Sequence, residues 1–169
     1  MAQVLARARG VIAKGCHYGL GHGGFDPSRA HPWDDEMLCD CSGFVAWALG
    51  FKRHTDHPWY KAQNGGWLET SAIVRDALTP SYGMFEKVED REARPGDLLV
   101  YGDRTNEDGT SRQGHVGIIS KVAENGEPAE AVHCSRGNER RYADAIQETP
   151  ATFWLVAGGI VARCALVDA

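Results

Sequence analysis

The 169-residue sequence predicts an α+β fold, with N-terminal helices packed on a mostly antiparallel sheet. Three observations predict it. Apolar residues recur at helical spacing in the first half of the chain. Apolar and alternating runs of strand length gather in the second half. Those runs sit too close together for the helical crossovers that parallel pairing requires.

The first helix is expected over residues 2–14, where Val4, Leu5, Ala8, Val11 and Ile12 share a stripe. Residues 15–39 read as loop, broken by Gly15, Gly19, Gly21, Gly23, Gly24, Pro27 and Pro32. A second helix follows over 41–49 and stops at Gly50. Its Phe44, Val45, Ala46, Trp47, Ala48 and Leu49 leave almost no polar side, which predicts burial. Residues 51–66 read as irregular. Ile73, Val74, Ala77 and Leu78 predict a helix over 68–78, ended by Thr79-Pro80. Strands are expected at Phe85–Val88, at Leu98–Tyr101 behind the turn Arg94-Pro95-Gly96-Asp97, at His115–Val122, at 129–134 and at 154–162. Gly158-Gly159 marks a bulge or a close-approach point in the last, and residues 103–113 form a polar excursion with its tip at Asp108-Gly109. No repeat or linker divides the chain, so residues 1–169 are read as one domain.

Composition narrows the function. The chain is 43% hydrophobic and 24% charged, with a formal net charge of -5. That balance argues against nucleic acid as a partner and against a polybasic membrane anchor. No apolar run approaches the ~20 residues that span a bilayer. The N-terminus lacks the apolar centre of a secretory signal, which predicts a protein made in the cytoplasm. Five cysteines with no CxxC pair predict free thiols.

The chemistry concentrates at Asp40-Cys41-Ser42-Gly43-Phe44-Val45. Cys41 is expected at a helix N-terminus, where unpaired N–H groups and the dipole favour a thiolate. His115 opens a strand and His133 lies in the next, so a thiol, a base and an orienting group follow in order. The two imidazoles share a face only if the intervening turn has the right parity. A two-residue turn at Asn125-Gly126 separates them; a three-residue turn, Glu124-Asn125-Gly126, brings them together, and Gly126 suits its left-handed last position. Gly117 leaves room beside His115 for another backbone, such as the Cys41 helix. In this scheme Cys41 attacks a carbonyl, His115 carries the proton and His133 orients His115.

These boxes resemble the NlpC-type cysteine peptidases, papain-like bacterial cell-wall hydrolases. Asp40-Cys41-Ser42-Gly43-Phe44-Val45 is similar to the nucleophile box, Arg94-Pro95-Gly96-Asp97-Leu98-Leu99 to the turn and strand ahead of the histidine, His115-Val116-Gly117-Ile118 to the histidine box, Val132-His133 to the third-residue strand and Tyr18-Gly19-Leu20-Gly21 to the upstream tyrosine segment. The resemblance implies cleavage of amide bonds in peptidoglycan stem peptides, often between D-glutamate and a diamino acid, with no cofactor. It implies that Tyr18 helps bind the oxyanion and that Asp40 and Ser42 contact substrate, with Asp40 equally suited to cap the helix. Peptidoglycan or a muropeptide is the expected partner, an inhibitor or immunity protein is left open, and delivery would be by phage lysis or a signal-independent route. The alternative on the same scaffold is an acyltransferase or deamidase with a non-wall substrate.

Other groups keep two readings. Cys16, His17, His22, His31, Cys39 and Cys41 lack the spacing of a metal site, and no metal is expected. Cys39 is either inert packing or a redox partner of Cys41. Asp34-Asp35-Glu36 is either a solvated loop or a wall that selects cationic substrate groups. The tryptophans read as packing, with Trp33 and Trp59 the candidates for stacking on glycan.

Overall fold

The computed structural model describes residues 1–79 and 83–166. Helix α1 (Ala2–Arg9) buries Val4 and Ala8. It ends earlier than expected, and at Ala13 the backbone is left-handed (φ 59°), which no helix continues through. Strands β1 (His17–Tyr18) and β2 (Leu38–Cys39) pair in parallel inside the segment expected to be loop. Helix α2 (Cys41–Ala48) is buried along its whole length. Helix α3 (Pro58–Asn64) occupies part of the stretch read as irregular; Pro58 starts it and Gly65 closes it in a left-handed cap. Helix α4 (Thr70–Ala77) begins later than residue 68 because the Glu69 carboxylate accepts the Ser71 and Ala72 N–H groups as its cap. Pro80, its expected stop, lies outside the described residues.

The second half supplies β3 (Phe85–Val88), β4 (Leu98–Tyr101), a small ribbon of β5 (Arg104–Thr105) and β6 (Ser111–Arg112), β7 (His115–Val122), β8 (Pro128–Cys134), helix α5 (Arg136–Tyr142), β9 (Ile146–Pro150), helix α6 (Thr152–Val156) and β10 (Ile160–Cys164). The expected closing strand over 154–162 is corrected: its first part is α6, and the strand begins only at Ile160 after Gly158 turns left-handed (φ 70°). Among the described residues the main sheet runs β3-β10-β4-β7-β8-β9, and its strand pairs are antiparallel. One face, with Leu98, Val100, Val116, Ile118 and Val132, packs with residues of α1, α2 and α4 in the larger core. The opposite face, with Leu99, Ile119, Ala131 and Val161, is covered by Trp154 and Ala157. No helix among the described residues is long and apolar enough to cross a membrane.

The β7–β8 hairpin has the parity that the site requires. Ile118 stands opposite Val132 and Ile119 opposite Ala131, with a local irregularity at Lys121. Gly126 takes a positive φ of 85°, and its N–H donates to the Ala123 carbonyl at 2.9 Å, closing a turn over residues 124–126. His115 and His133 therefore project from the same face of the sheet.

Candidate functional site

The start of α2 is fixed by one carboxylate. Asp40 Oδ1 accepts the Gly43 N–H at 2.8 Å and the Ser42 hydroxyl at 3.2 Å. Asp40 Oδ2 accepts the Gly21 N–H at 2.7 Å and Arg53 Nη2 at 2.5 Å. Arg53 also donates to the His22 carbonyl and to Ser42 Oγ. Residues 22–24 press so closely on the helix that a Cβ on Gly43 would lie 2.7 Å from the His22 carbonyl, which explains a glycine two residues after the thiol. Asp40 is 1% exposed and Ser42 4%, with their oxygens bonded inside the protein. Asp40 thus caps the helix, and neither it nor Ser42 lines the cleft beside the histidines, whose lining omits Cys41 as well.

Cys41 begins α2, and the backbone N–H groups of Val116 and Ser42 donate to its sulfur. Val116 follows His115, so the thiol lies at the end of β7 that carries the imidazole. Burial, reinforced by the Asp40 charge, pushes the thiol up to about 12. The expected thiolate preference is corrected here: desolvation outweighs the helix end, and the resting group is a neutral thiol.

His115 Nε2 and His133 Nδ1 are 2.7 Å apart. Burial lowers His115 to about 4 and holds His133 well below its usual value, so both imidazoles are neutral. Trp154 stacks on His115 with centroids 5.2 Å apart and meets His133 edge-on at 4.7 Å. A Cβ on Gly117 would lie 2.9 Å from this indole and 3.1 Å from His133 Cβ. The room at Gly117 is therefore taken by Trp154 and His133, not by the Cys41 helix.

The far nitrogen of His133 has two neighbours, Thr149 Oγ1 at 2.9 Å and Asn138 Nδ2 at 3.3 Å. The Asn138 amide also donates to the His133 carbonyl at 3.1 Å and the Ala145 carbonyl at 3.2 Å. Those two carbonyls use both of its hydrogens and fix its nitrogen, not its oxygen, toward the ring. Thr149 is then the acceptor within reach when His133 Nε2 carries hydrogen. That arrangement leaves Nδ1 of His133 to accept from Nε2 of His115, and Nδ1 of His115 free as a base.

Tyr18 is half-buried on β1 and lines the cleft with His115 and His133. Burial and the nearby Cys41 raise its phenol, which stays protonated as a donor. The remaining candidates lie elsewhere. His17 bonds Glu139 at 2.8 Å, His22 bonds Asp34 at 2.6 Å and His31 stacks on Trp33. Among the described residues no group of three or more acidic, cysteine or histidine side chains is arranged to hold a metal ion. Cys16, Cys39 and Cys134 are buried free thiols, and Cys39 interacts with the other two. Asp34 caps the Glu36 and Leu38 N–H groups, and Asp35 pairs with Arg29, so Asp34 and Asp35 build a loop rather than a wall of the cleft. Neither Trp33 nor Trp59 reaches the cleft.

Sequence reasoning missed Thr149, Asn138, Arg53 and the contact of Trp154 with the imidazoles. Only Asn138, three residues after the cap Ser135 at the mouth of α5, carried a local signal. A family model described as CHAP domain matches residues 31–138, a span that includes Cys41, His115 and His133. No curated protein matches the chain.

Proposed function

The chain belongs to the CHAP domain family, amidases and peptidases related to the NlpC-type cell-wall hydrolases, and from that membership we propose a cysteine hydrolase that cleaves a stem-peptide amide of peptidoglycan through Cys41, His115 and His133. The family fixes the coarse activity and the peptidoglycan substrate. The observation that carries the finer reading is the 2.7 Å His115–His133 bond at the end of β7 whose Val116 N–H donates to the Cys41 sulfur.

Because thiol and imidazole are both neutral at rest, His115 acts as a general base. Nδ1 of His115 takes the proton as sulfur attacks the carbonyl carbon, and the imidazolium bonds through Nε2 to His133. His133 passes that polarisation to Thr149 through its own Nε2–H. The proton on His115 then goes to the leaving amine, and water hydrolyses the thioester by the same base. The Tyr18 hydroxyl and the Cys41 backbone N–H are donors for the oxyanion. Asp40 and Ser42 hold the helix end in register instead of touching substrate. The catalytic unit extends beyond the matched span, because Tyr18, Thr149 and Trp154 lie outside residues 31–138 and yet line the cleft.

Digestion of purified peptidoglycan with mass analysis of the fragments tests this reading. Wild-type protein releases peptides with a new free amine and carboxylate, and Cys41→Ala releases none while melting at the same temperature. Fragment release by Cys41→Ala refutes the nucleophile; a product that carries a transferred acyl group, or ammonia without chain cleavage, selects the acyltransferase or deamidase instead.

A further inference from the structure

The cleft beside His115 has a volume of about 490 Å³ and carries charge of one sign. Arg141 lines it, and Arg136 lines the depression that adjoins it across Tyr18 and His115. Arg112 lies over two rings of the cleft wall, Tyr101 at 5.5 Å and Phe153 at 5.4 Å. Arg136 lies over Tyr18 at 5.6 Å and Arg141 over Tyr142 at 5.3 Å. No carboxylate lines either hollow among the described residues. The nearby acids are committed: Glu139 accepts from Tyr18 N and bonds His17, and Asp103 accepts the Gly114 N–H. Among the described residues, none of the three arginines has an ion-pair partner within 4 Å, although other cations of the surface, such as Arg9, Arg29 and Arg163, do.

In a chain of net charge -5, three guanidiniums without a carboxylate partner gather around one hollow. A guanidinium that rests its face on an aromatic ring keeps its N–H edge for a planar acceptor. Arg112 stands on the Phe153 side of His115 and Arg136 on the Tyr18 side, so cations flank the base in both directions along the cleft. A carboxylate is the planar anion that such forks bind.

We propose that Arg112, Arg136 and Arg141 form an anion-reading subsite, and that the substrate is a peptide with free carboxylates flanking the scissile amide rather than its amidated counterpart. The proposal rests on the amide-hydrolase reading and gives it a substrate class. It also opposes the alternative reading of Asp34-Asp35-Glu36 as a cation-selecting wall.

Two synthetic stem peptides, identical except for D-glutamate α-carboxylate in one and its carboxamide in the other, test the proposal. Calorimetric titration of full-length Cys41→Ala measures binding without turnover. The acid is expected to bind about tenfold tighter than the amide, with the gap closing as sodium chloride rises. Arg112→Gln, Arg136→Gln and Arg141→Gln in that background each narrow the gap, and the triple variant removes it with an unchanged melting temperature. Equal affinity for acid and amide, binding of neither, or a preference that survives the triple variant overturns the subsite. Turnover by wild-type protein separates the two readings. Equal cleavage of both peptides upholds the hydrolase and sinks the subsite; selective binding of the acid without any cleavage does the reverse.

Discussion

Thr149→Val tests the proton path most sharply. The variant replaces the hydroxyl with a methyl of nearly equal size and removes the acceptor 2.9 Å from His133 Nε2. In the working state His115 holds hydrogen on Nε2 and donates to His133, so His133 holds hydrogen on its own Nε2. Without Thr149 that hydrogen faces the Asn138 amide nitrogen at 3.3 Å, a donor. The opposite tautomer, with Nδ1 of His133 donating to His115, leaves no hydrogen on His133 Nε2 to be satisfied and places hydrogen on His115 Nδ1, where it blocks uptake of the thiol proton. The hydrogen bond lost in the working state, with a buried N–H left unsatisfied, amounts to about 1–2 kcal/mol, or a roughly five- to thirtyfold fall in kcat. Steady-state cleavage of a synthetic stem peptide provides the assay. Thr149→Ser, which keeps the hydroxyl, restores kcat. A pure packing defect would lower stability and spare kcat per folded molecule, and a lost substrate contact would raise KM. Wild-type kcat in Thr149→Val, or a Thr149→Ser variant as slow as the valine, refutes the path.

Three further expectations follow from buried charge and packing. Because His115 is lowered to about 4, its base form survives well below the ordinary histidine range, and kcat/KM falls only as pH drops through about 4; an acid limb near 6.5 in a pH–rate profile contradicts this. The same histidine makes the fold acid-sensitive. The unfolded chain takes up a proton below about 6.5 that the folded ring refuses until about 4, so stability present above 6.5 is lost across that window, by up to roughly 3 kcal/mol in urea titrations at stepped pH. Arg53→Met leaves the 1%-exposed Asp40 without its cation and costs about 3–5 kcal/mol in denaturant unfolding; a change within about 0.5 kcal/mol means that Asp40 sits elsewhere. Trp154→Ala costs about 3–5 kcal/mol, and by admitting water to His115 it moves the acid limb upward.

The sequence disclosed some elements far better than others, and the contrast is physical. The α2 segment was legible because a wholly apolar run after an aspartate leaves few alternatives. The histidine strand and its partner were legible down to register, since one left-handed glycine in a short turn decides which face every side chain takes. Helix α5 was invisible because Arg136–Tyr142 carries no apolar stripe; the cap at Ser135 and the docking of Asn138 hold it, and both depend on β8 and the Ala145 carbonyl. Trp154-Leu155-Val156 reads as strand in the sequence because a short apolar run has no period, and tertiary packing of Trp154 on two imidazoles chose the helix. The thiol's ionisation was misjudged for the same kind of reason. A helix end is visible in sequence, whereas the depth at which Cys41 lies is not.

The two imidazoles come from neighbouring arms of one hairpin, joined by a turn of three residues, whereas the sulfur arrives from a helix more than seventy positions earlier in the chain. Their alignment is a short-range property, assembled as soon as that ribbon zips, and the thiol must be delivered to a bench already set. Loosening the helix would therefore silence the enzyme while the ring pair stays intact. Damage by heat or substitution should register first in how fast Cys41 is alkylated, and only later in the nitrogen resonances of the histidines.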